Sequence, residues 1–312
     1  MKAGLVRLQL QGNEVTSCFV WENLVYRIKE HDDTRTIDLI ESGMFEDPSF
    51  WDNLFSQDFK RESYDLIGSV YELLQSDEKP KFLKPFAIPE AWGVGVSYKT
   101  AADLHEEDLR KDGGQHGIYD YVYSSTRPEI FFKGLDRHSV GHKDSFGLRD
   151  DSEQTIVEAE LGCILNGKGG IAAYTIVNDI TAWDIEKECP LFLNYAKIFQ
   201  GSCVFGPGII PAFAIEDPLN LEVICSMHRN GEKIFEAKGS TSEMKRSLEE
   251  MIDFLTSNNP VPPGALLCTG TAVGIPHEIV VLEGDRVDIS IDQLGELSNQ
   301  ASKISHIRKE NS

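Results

Sequence analysis

Residues 157–211 read VEAELGCILNGKGGIAAYTIVNDITAWDIEKECPLFLNYAKIFQGSCVFGPGIIP, a series of apolar runs interrupted by a few charges. Glu158 and Glu160 stand two positions apart in the first run, so in a strand both side chains leave on one face. Asp179 closes another run, Tyr174 to Asp179. Three carboxylates on two buried strands cannot all stay ionised without compensation. A hard divalent cation bound by oxygens supplies it, and magnesium commonly keeps waters that a substrate can replace. The pattern predicts an open metal site held by Glu158, Glu160 and Asp179. The bland alternative is a half-exposed strand with both glutamates in solvent, since Val157, Ala159 and Leu161 occupy its opposite face.

The chain has 312 residues and a hydrophobic fraction of 41%, enough for one large domain with a smaller partner. No apolar run reaches the length of a membrane span, and Arg7 and Gln9 break the first run before it resembles a secretory signal. A net charge of −21 argues against nucleic-acid binding through phosphates. The six cysteines form no close CxxC pair, and most lie in apolar surroundings, as reduced thiols of a cytoplasmic protein do. Cys189 and Cys203 lack a histidine nearby in sequence to make either a nucleophile.

Residues 1–30 have the alternation of a small antiparallel meander turning at Gly12-Asn13. Thr36 to Ser76 has helical spacing, with a second run through Tyr64, Ile67, Val70, Leu73 and Leu74. A proline-punctuated stretch from Ser76 to Pro89 follows and sets a domain boundary, giving a domain at 1–85, a larger one at 86–305 and a polar tail at 306–312. Trp92-Gly-Val-Gly-Val-Ser97-Tyr98 has alternating glycines, which suit close backbone approach. It lacks the third glycine of a dinucleotide fingerprint. The charged segment Thr100 to Gly117 is either a surface insertion or a lid over a site. Arg127 to Gly134 is strand-like, and its Glu129–Lys133 pair has the spacing of an exposed ion pair. Asn166-Gly167 and Asn230-Gly231 predict hairpin turns. Ser240-Thr-Ser-Glu243 predicts a capping box for a helix with an apolar stripe at Met244, Leu248, Met251, Ile252 and Leu255. Strands are expected at Leu266–Thr271, 278–282 and Arg286–Ile291. Thr269 and Thr271 flank Gly270 at a strand end, where hydroxyls can hold a carboxylate or hydroxyl group.

Taken in order, these motifs resemble the fumarylacetoacetate hydrolase superfamily. The carrying residues are Glu158-Ala-Glu160, Asn178-Asp179-Ile-Thr-Ala-Trp-Asp184, Lys197, Gly206-Pro207 and Thr269-Gly-Thr271, over roughly residues 88 to 295. Trp92-Gly-Val-Gly-Val-Ser97-Tyr98, Arg127-Pro-Glu129-Ile-Phe-Phe-Lys133, Val140-Gly-His142 and Glu186 make the resemblance strongest to its 2-keto-3-deoxy sugar acid dehydratases. The resemblance implies an α+β fold: a small N-terminal α/β domain, then a C-terminal mixed β-roll. It also implies Mg²⁺ on Glu158, Glu160 and Asp179, with Mn²⁺ or Ca²⁺ as substitutes, and a homodimer or homotetramer. Two departures stand out. Trp183 occupies the position of an arginine that commonly meets the substrate's anionic end. Ala101 occupies the position of the histidine with which the superfamily's hydrolases activate water, and His105 with Glu106 lies a turn further on.

The implied activity is a metal-dependent dehydration of a short 2-keto-3-deoxy sugar acid through a stabilised enolate, a pentonate giving 2,5-dioxopentanoate. Lys197 is the first candidate to assist proton transfer, on the expectation that burial lowers its pKa. Glu129 and Glu186 are acid–base candidates, and Ser97, Tyr98, Thr269 and Thr271 are candidates for holding substrate. Two alternatives remain: a metal-dependent C–C hydrolase or decarboxylase of a 2,4-diketo or oxaloacetate-like acid, which needs an activated water, and a catalytically silent binding protein.

Overall fold

The computed structural model describes residues 1–28, 36–56, 64–76, 78–111 and 117–304. The polar tail expected at 306–312 lies outside them. The chain opens with the meander β1 (Ala3–Gln9), β2 (Val15–Trp21) and β3 (Leu24–Ile28), then α1 (Thr36–Ser42), α2 (Pro48–Leu54), β4 (Tyr64–Ser69), α3 (Val70–Gln75) and β5 (Lys81–Leu83). Next come β6 (Ala91–Gly95), α4 (Lys99–Lys111), α5 (Ile118–Ser124), β7 (Glu129–Gly134), β8 (Ser139–Val140), β9 (Ser145–Leu148) and β10 (Thr155–Ile156). The central segment holds β11 (Ala159–Leu165), β12 (Ile171–Asp179), β13 (Thr181–Ala182), α6 (Trp183–Glu188), α7 (Leu193–Lys197) and β14 (Cys203–Pro211). The remainder is β15 (Glu222–Arg229), β16 (Glu232–Ser240), α8 (Leu248–Thr256), β17 (Leu266–Thr271), β18 (Arg286–Ile291) and β19 (Gly295–Lys303).

One 12-stranded mixed sheet runs β4-β3-β2-β1-β14-β12-β11-β17-β6-β7, with β5 on β1 and β8 on β14. A five-stranded sheet, β16-β15-β18-β19-β9, packs against it. Alternation decides which face each residue serves. Leu161, Cys163 and Leu165 of β11 enter the core shared with Val223, Cys225, Val287 and Ile289 of the second sheet. Ile164 points the other way, into a layer with Leu39, Ile40, Phe45 and Trp51. β1 pairs with both β2 and β14, so the N-terminal strands continue the large sheet.

Several expectations hold. The meander is present, and both Asn-Gly pairs turn hairpins, β11 into β12 and β15 into β16. All six cysteines are free thiols. Among the described residues no helix is long and apolar enough to cross a membrane.

Four readings need correction. Tyr64 and Ile67 lie in β4, and only Val70, Leu73 and Leu74 of that run are helical. Leu66 is exposed, so this edge strand buries too little to show a period of two. Thr100 to Lys111 belongs to α4, which buries Ala101, Ala102, His105, Glu106 and Leu109. The cap of α8 is Ser247, whose hydroxyl accepts from Glu250 N–H, whereas Ser240 caps a single 3-10 turn. Backbone pairing displaces the start: Tyr98 bridges Met244, and Lys245 N–H donates to the Ser97 carbonyl. Residues 278–282 form no strand; β18 pairs with β15 and β19 instead.

Candidate active site

β11 and β12 are antiparallel with Ala159 opposite Asn178, which brings the start of one strand beside the end of the other. Asp179 N–H donates to the Glu158 carbonyl at 3.0 Å. Carboxylate oxygens of Glu158, Glu160 and Asp179 consequently lie within 4.8 Å of one another. The three residues are only 9%, 3% and 1% exposed, so the solvated-face alternative is excluded. Burial pushes the Glu160 carboxyl well above the usual range, and the Asp179 and Glu158 charges add to the effect. Glu158 is raised in the same way, against the pull of Lys197.

Two buried lysines face this charge. Lys197 Nζ, at the end of α7, donates to Glu158 Oε2 at 2.6 Å and to Asp179 Oδ2 at 3.2 Å. Burial opposes its charge, but Asp179, Glu158 and Glu186 prevail and hold its pKa well above the ordinary value. The lowering expected from burial is thus reversed by the carboxylates. Lys133 Nζ, from β7, donates to the Ile180 and Lys197 carbonyls, both at 2.8 Å, and pairs with Asp179 Oδ1.

Glu129 and Glu186 join the triad around one narrow cavity, lined also by Ser97, His105, Tyr119, Phe131 and Thr271. Burial raises both carboxyls, Glu186 to about 7, with Lys197 opposing and Glu158 reinforcing the shift. Tyr119 Oη donates to Glu186 Oε1 at 2.9 Å, and Glu186 Oε2 has no hydrogen-bond partner among the described residues. Five carboxyl groups therefore converge on two lysines. Three buried carboxylates this close together, with burial and mutual repulsion opposing their ionisation, fit a divalent cation on Glu158, Glu160 and Asp179.

Two glycines make the approach possible. A Cβ at Gly95 would stand 2.2 Å from Glu129 Oε2, so glycine lets that carboxylate lie against β6. Gly270, at φ +91°, turns its N–H toward Glu160 Oε2 at 3.0 Å.

The sequence from residue 91 to residue 302 matches the fumarylacetoacetate hydrolase C-terminal family. The chain belongs to the fumarylacetoacetate hydrolase family. It is 39% identical over 224 residues to 2-dehydro-3-deoxy-D-arabinonate dehydratase of Saccharolobus solfataricus, covering 72% of this chain and 75% of the relative. It is 37% identical over 220 residues to the probable 2-keto-3-deoxyxylonate dehydratase of Haloferax volcanii, covering 70% and 74%. A solved 2-keto-3-deoxy-D-arabinonate dehydratase, complexed with magnesium and 2,5-dioxopentanoate, superposes with a TM-score of 0.78 at 32% identity, over 97% of this chain and 99% of that one. The expected α+β fold is the one observed.

On this family fold the candidates divide. Glu129, Glu158, Glu160, Asp179, Glu186, Lys197, Ser97 and Thr271 surround one cavity. The Thr271 hydroxyl is engaged with the Ala159 and Val273 carbonyls. Thr269 donates to the Leu161 carbonyl, Tyr98 packs in the core, and neither lines the cavity. Trp183 is fully buried and stacks on His105, its indole N–H donating to Asp108 Oδ2 at 2.6 Å. Sequence reading missed Lys133, whose alternation with Glu129 and Phe131 on β7 was the available signal. It also left unassigned His105 and Asp108, one turn apart on α4, and Tyr119, which tertiary packing brings to them.

Proposed function

We propose that this protein is a magnesium-dependent hydro-lyase that removes water from a short 2-keto-3-deoxy sugar acid, as 2-keto-3-deoxy-arabinonate would give 2,5-dioxopentanoate. One observation carries the reading: a buried Glu158–Glu160–Asp179 triad, with Lys197 on it, sits in a chain that aligns over nearly its whole length with a dehydratase holding magnesium and 2,5-dioxopentanoate. Glu158, Glu160 and Asp179 would hold the cation; Mn²⁺ and Ca²⁺ are proposed substitutes. When bound, it supplies Lewis-acid polarisation of the substrate's keto acid end and makes the C3 proton easier to remove.

The chain's own groups carry the remaining work. Lys197, held charged, places an ammonium where negative charge develops. Glu129 and Glu186, raised by burial, are the proton carriers: one takes the C3 proton and the other returns one to the departing C4 hydroxyl, which leaves as water. Tyr119 fixes Glu186 Oε1 and leaves Oε2 for that exchange. Ser97 and Thr271 lie at the wall beside the substrate, while Tyr98 and Thr269 support that wall from behind.

The proposed division assigns 1–85 to a small domain and 86–305 to the catalytic one. A homodimer or homotetramer is proposed too, in keeping with the exposed Leu191, Phe192 and Tyr195. The reduced cysteines accord with a cytoplasmic location.

The test is incubation with 2-keto-3-deoxy acids and 2,4-diketo acids, with Mg²⁺ and after chelation, following products by mass. Metal-dependent loss of one water is expected. Cleavage into two acids would replace the reading with the hydrolase, and metal binding without turnover of any acid would replace it with the silent binder.

A further inference from the structure

His105 is buried on the inner face of α4. Its Nδ1 has no hydrogen-bond partner among the described residues, and its Nε2 lies 3.9 Å from Glu158 Oε1, beyond hydrogen-bonding reach. Leaving a buried polar atom unpaired costs about 1–3 kcal/mol, which a bound ligand can relieve. The ring is nevertheless tightly placed. It stacks on Trp183 with centroids 4.5 Å apart, with Tyr119 at 4.9 Å and His277 at 5.0 Å around it. Asp108, one turn along α4, gathers this stack from behind. Its Oδ2 accepts from Trp183 Nε1 at 2.6 Å and lies 3.3 Å from His277 Nδ1. His105 and Asp108 share one helix, while Trp183 opens α6 and His277 follows β17, so one carboxylate ties two other parts of the fold to the helix face that carries His105.

We propose that His105 binds a hydroxyl of the sugar acid through its unpaired imidazole, and that Asp108 and Trp183 are the positioning residues that hold that ring against the cavity. The inference rests on the dehydratase reading for the identity of the ligand, but the positioning half stands on the apo protein. Trp183 does not receive an anion here, because its only donor is spent on Asp108.

The experiment compares His105→Phe, Asp108→Ala, Asp108→Asn and Trp183→Phe by steady-state kinetics, Mn²⁺ binding and side-chain ¹⁵N NMR of labelled histidine. His105→Phe keeps the stack and should lose about tenfold or more in kcat/KM, the worth of a lost hydrogen bond, with Mn²⁺ affinity unchanged. Asp108→Ala and Trp183→Phe should lose kcat/KM similarly and shift or broaden the His105 resonances. Asp108→Asn, which keeps an acceptor for the indole, should restore most of both. Wild-type kcat/KM in His105→Phe, or unmoved His105 resonances in Asp108→Ala, overturns the proposal. An inactive wild-type protein would remove the dehydratase reading, and the resonances would still decide the positioning claim.

Discussion

Lys133 Nζ donates to the backbone carbonyl of Lys197 at 2.8 Å, so one buried lysine fixes the chain position of the other. The same ammonium pairs with Asp179, and Lys133 is wholly buried. The two cations therefore differ in kind: Lys197 faces the cavity, whereas Lys133 stands behind it and holds the Ile180 and Lys197 backbones.

That relationship predicts the effect of Lys133→Met. The substitution keeps the apolar stem, removes the charge beside Asp179 and leaves two carbonyls unpaired. Breaking one partner of a buried pair costs about 3–5 kcal/mol, so chemical denaturation should show a loss of that order. Turnover should fall with it, because Lys197 loses its anchor. Wild-type stability in this variant would show that Lys133 plays no such part.

Glu160→Gln should separate stability from function. Burial and two neighbouring carboxylates oppose ionisation of Glu160, so the neutral amide relieves strain that the apo protein carries. In chelator the variant should melt above wild type. With saturating Mg²⁺ the order should reverse, since a ligand that binds only the folded wild type stabilises it by mass action. Calorimetry under both conditions is the check, and parallel behaviour of the two proteins would remove Glu160 from the metal site.

How much of this was legible in the sequence differs from element to element. The triad was, because strand alternation places Glu158 and Glu160 together and the apolar run to Asp179 fixes the partner strand. The hairpin from β15 to β16 was, because Asn230 and Gly231 take the positive φ that the turn demands. Lys133 was not: its spacing from Glu129 looks like an exposed pair, and burial is a property of the neighbours, not of the spacing. The cavity-facing side of α4 was equally hidden, since its helix carries so many charges that only contact with Trp183 and Glu158 reveals which face is inward.

Glu129→Gln and Glu186→Gln test the proton carriers. Positioned acid–base groups contribute about 10²–10⁴-fold, so each amide should lower kcat by that order while Mn²⁺ binding persists. Product analysis in deuterated water adds a second readout: a variant that still exchanges the C3 proton without losing water has lost the acid and kept the base. Near-normal turnover in either variant would take that residue out of the chemistry.

His142 predicts how stability varies with pH away from the cavity. It is 1% exposed, its Nδ1 accepts from Ser298 N–H at 3.1 Å, and it packs edge-on against Phe82 of β5. Burial, reinforced by Lys143, lowers its pKa from 6.5 to about 4, with the Leu74 carbonyl and Asp288 opposing. Between those values the unfolded chain binds the proton and the folded one does not. Stability from this group is therefore complete above pH 6.5 and is lost as pH falls toward and through 4. The full difference corresponds to about 3 kcal/mol, at 1.36 kcal/mol per pKa unit. His142→Gln keeps an acceptor for Ser298 and does not titrate, so urea titrations from pH 7 to pH 4 should show wild type losing about 3 kcal/mol more than the variant. Equal losses in the two proteins would mean that His142 protonates as readily folded as unfolded.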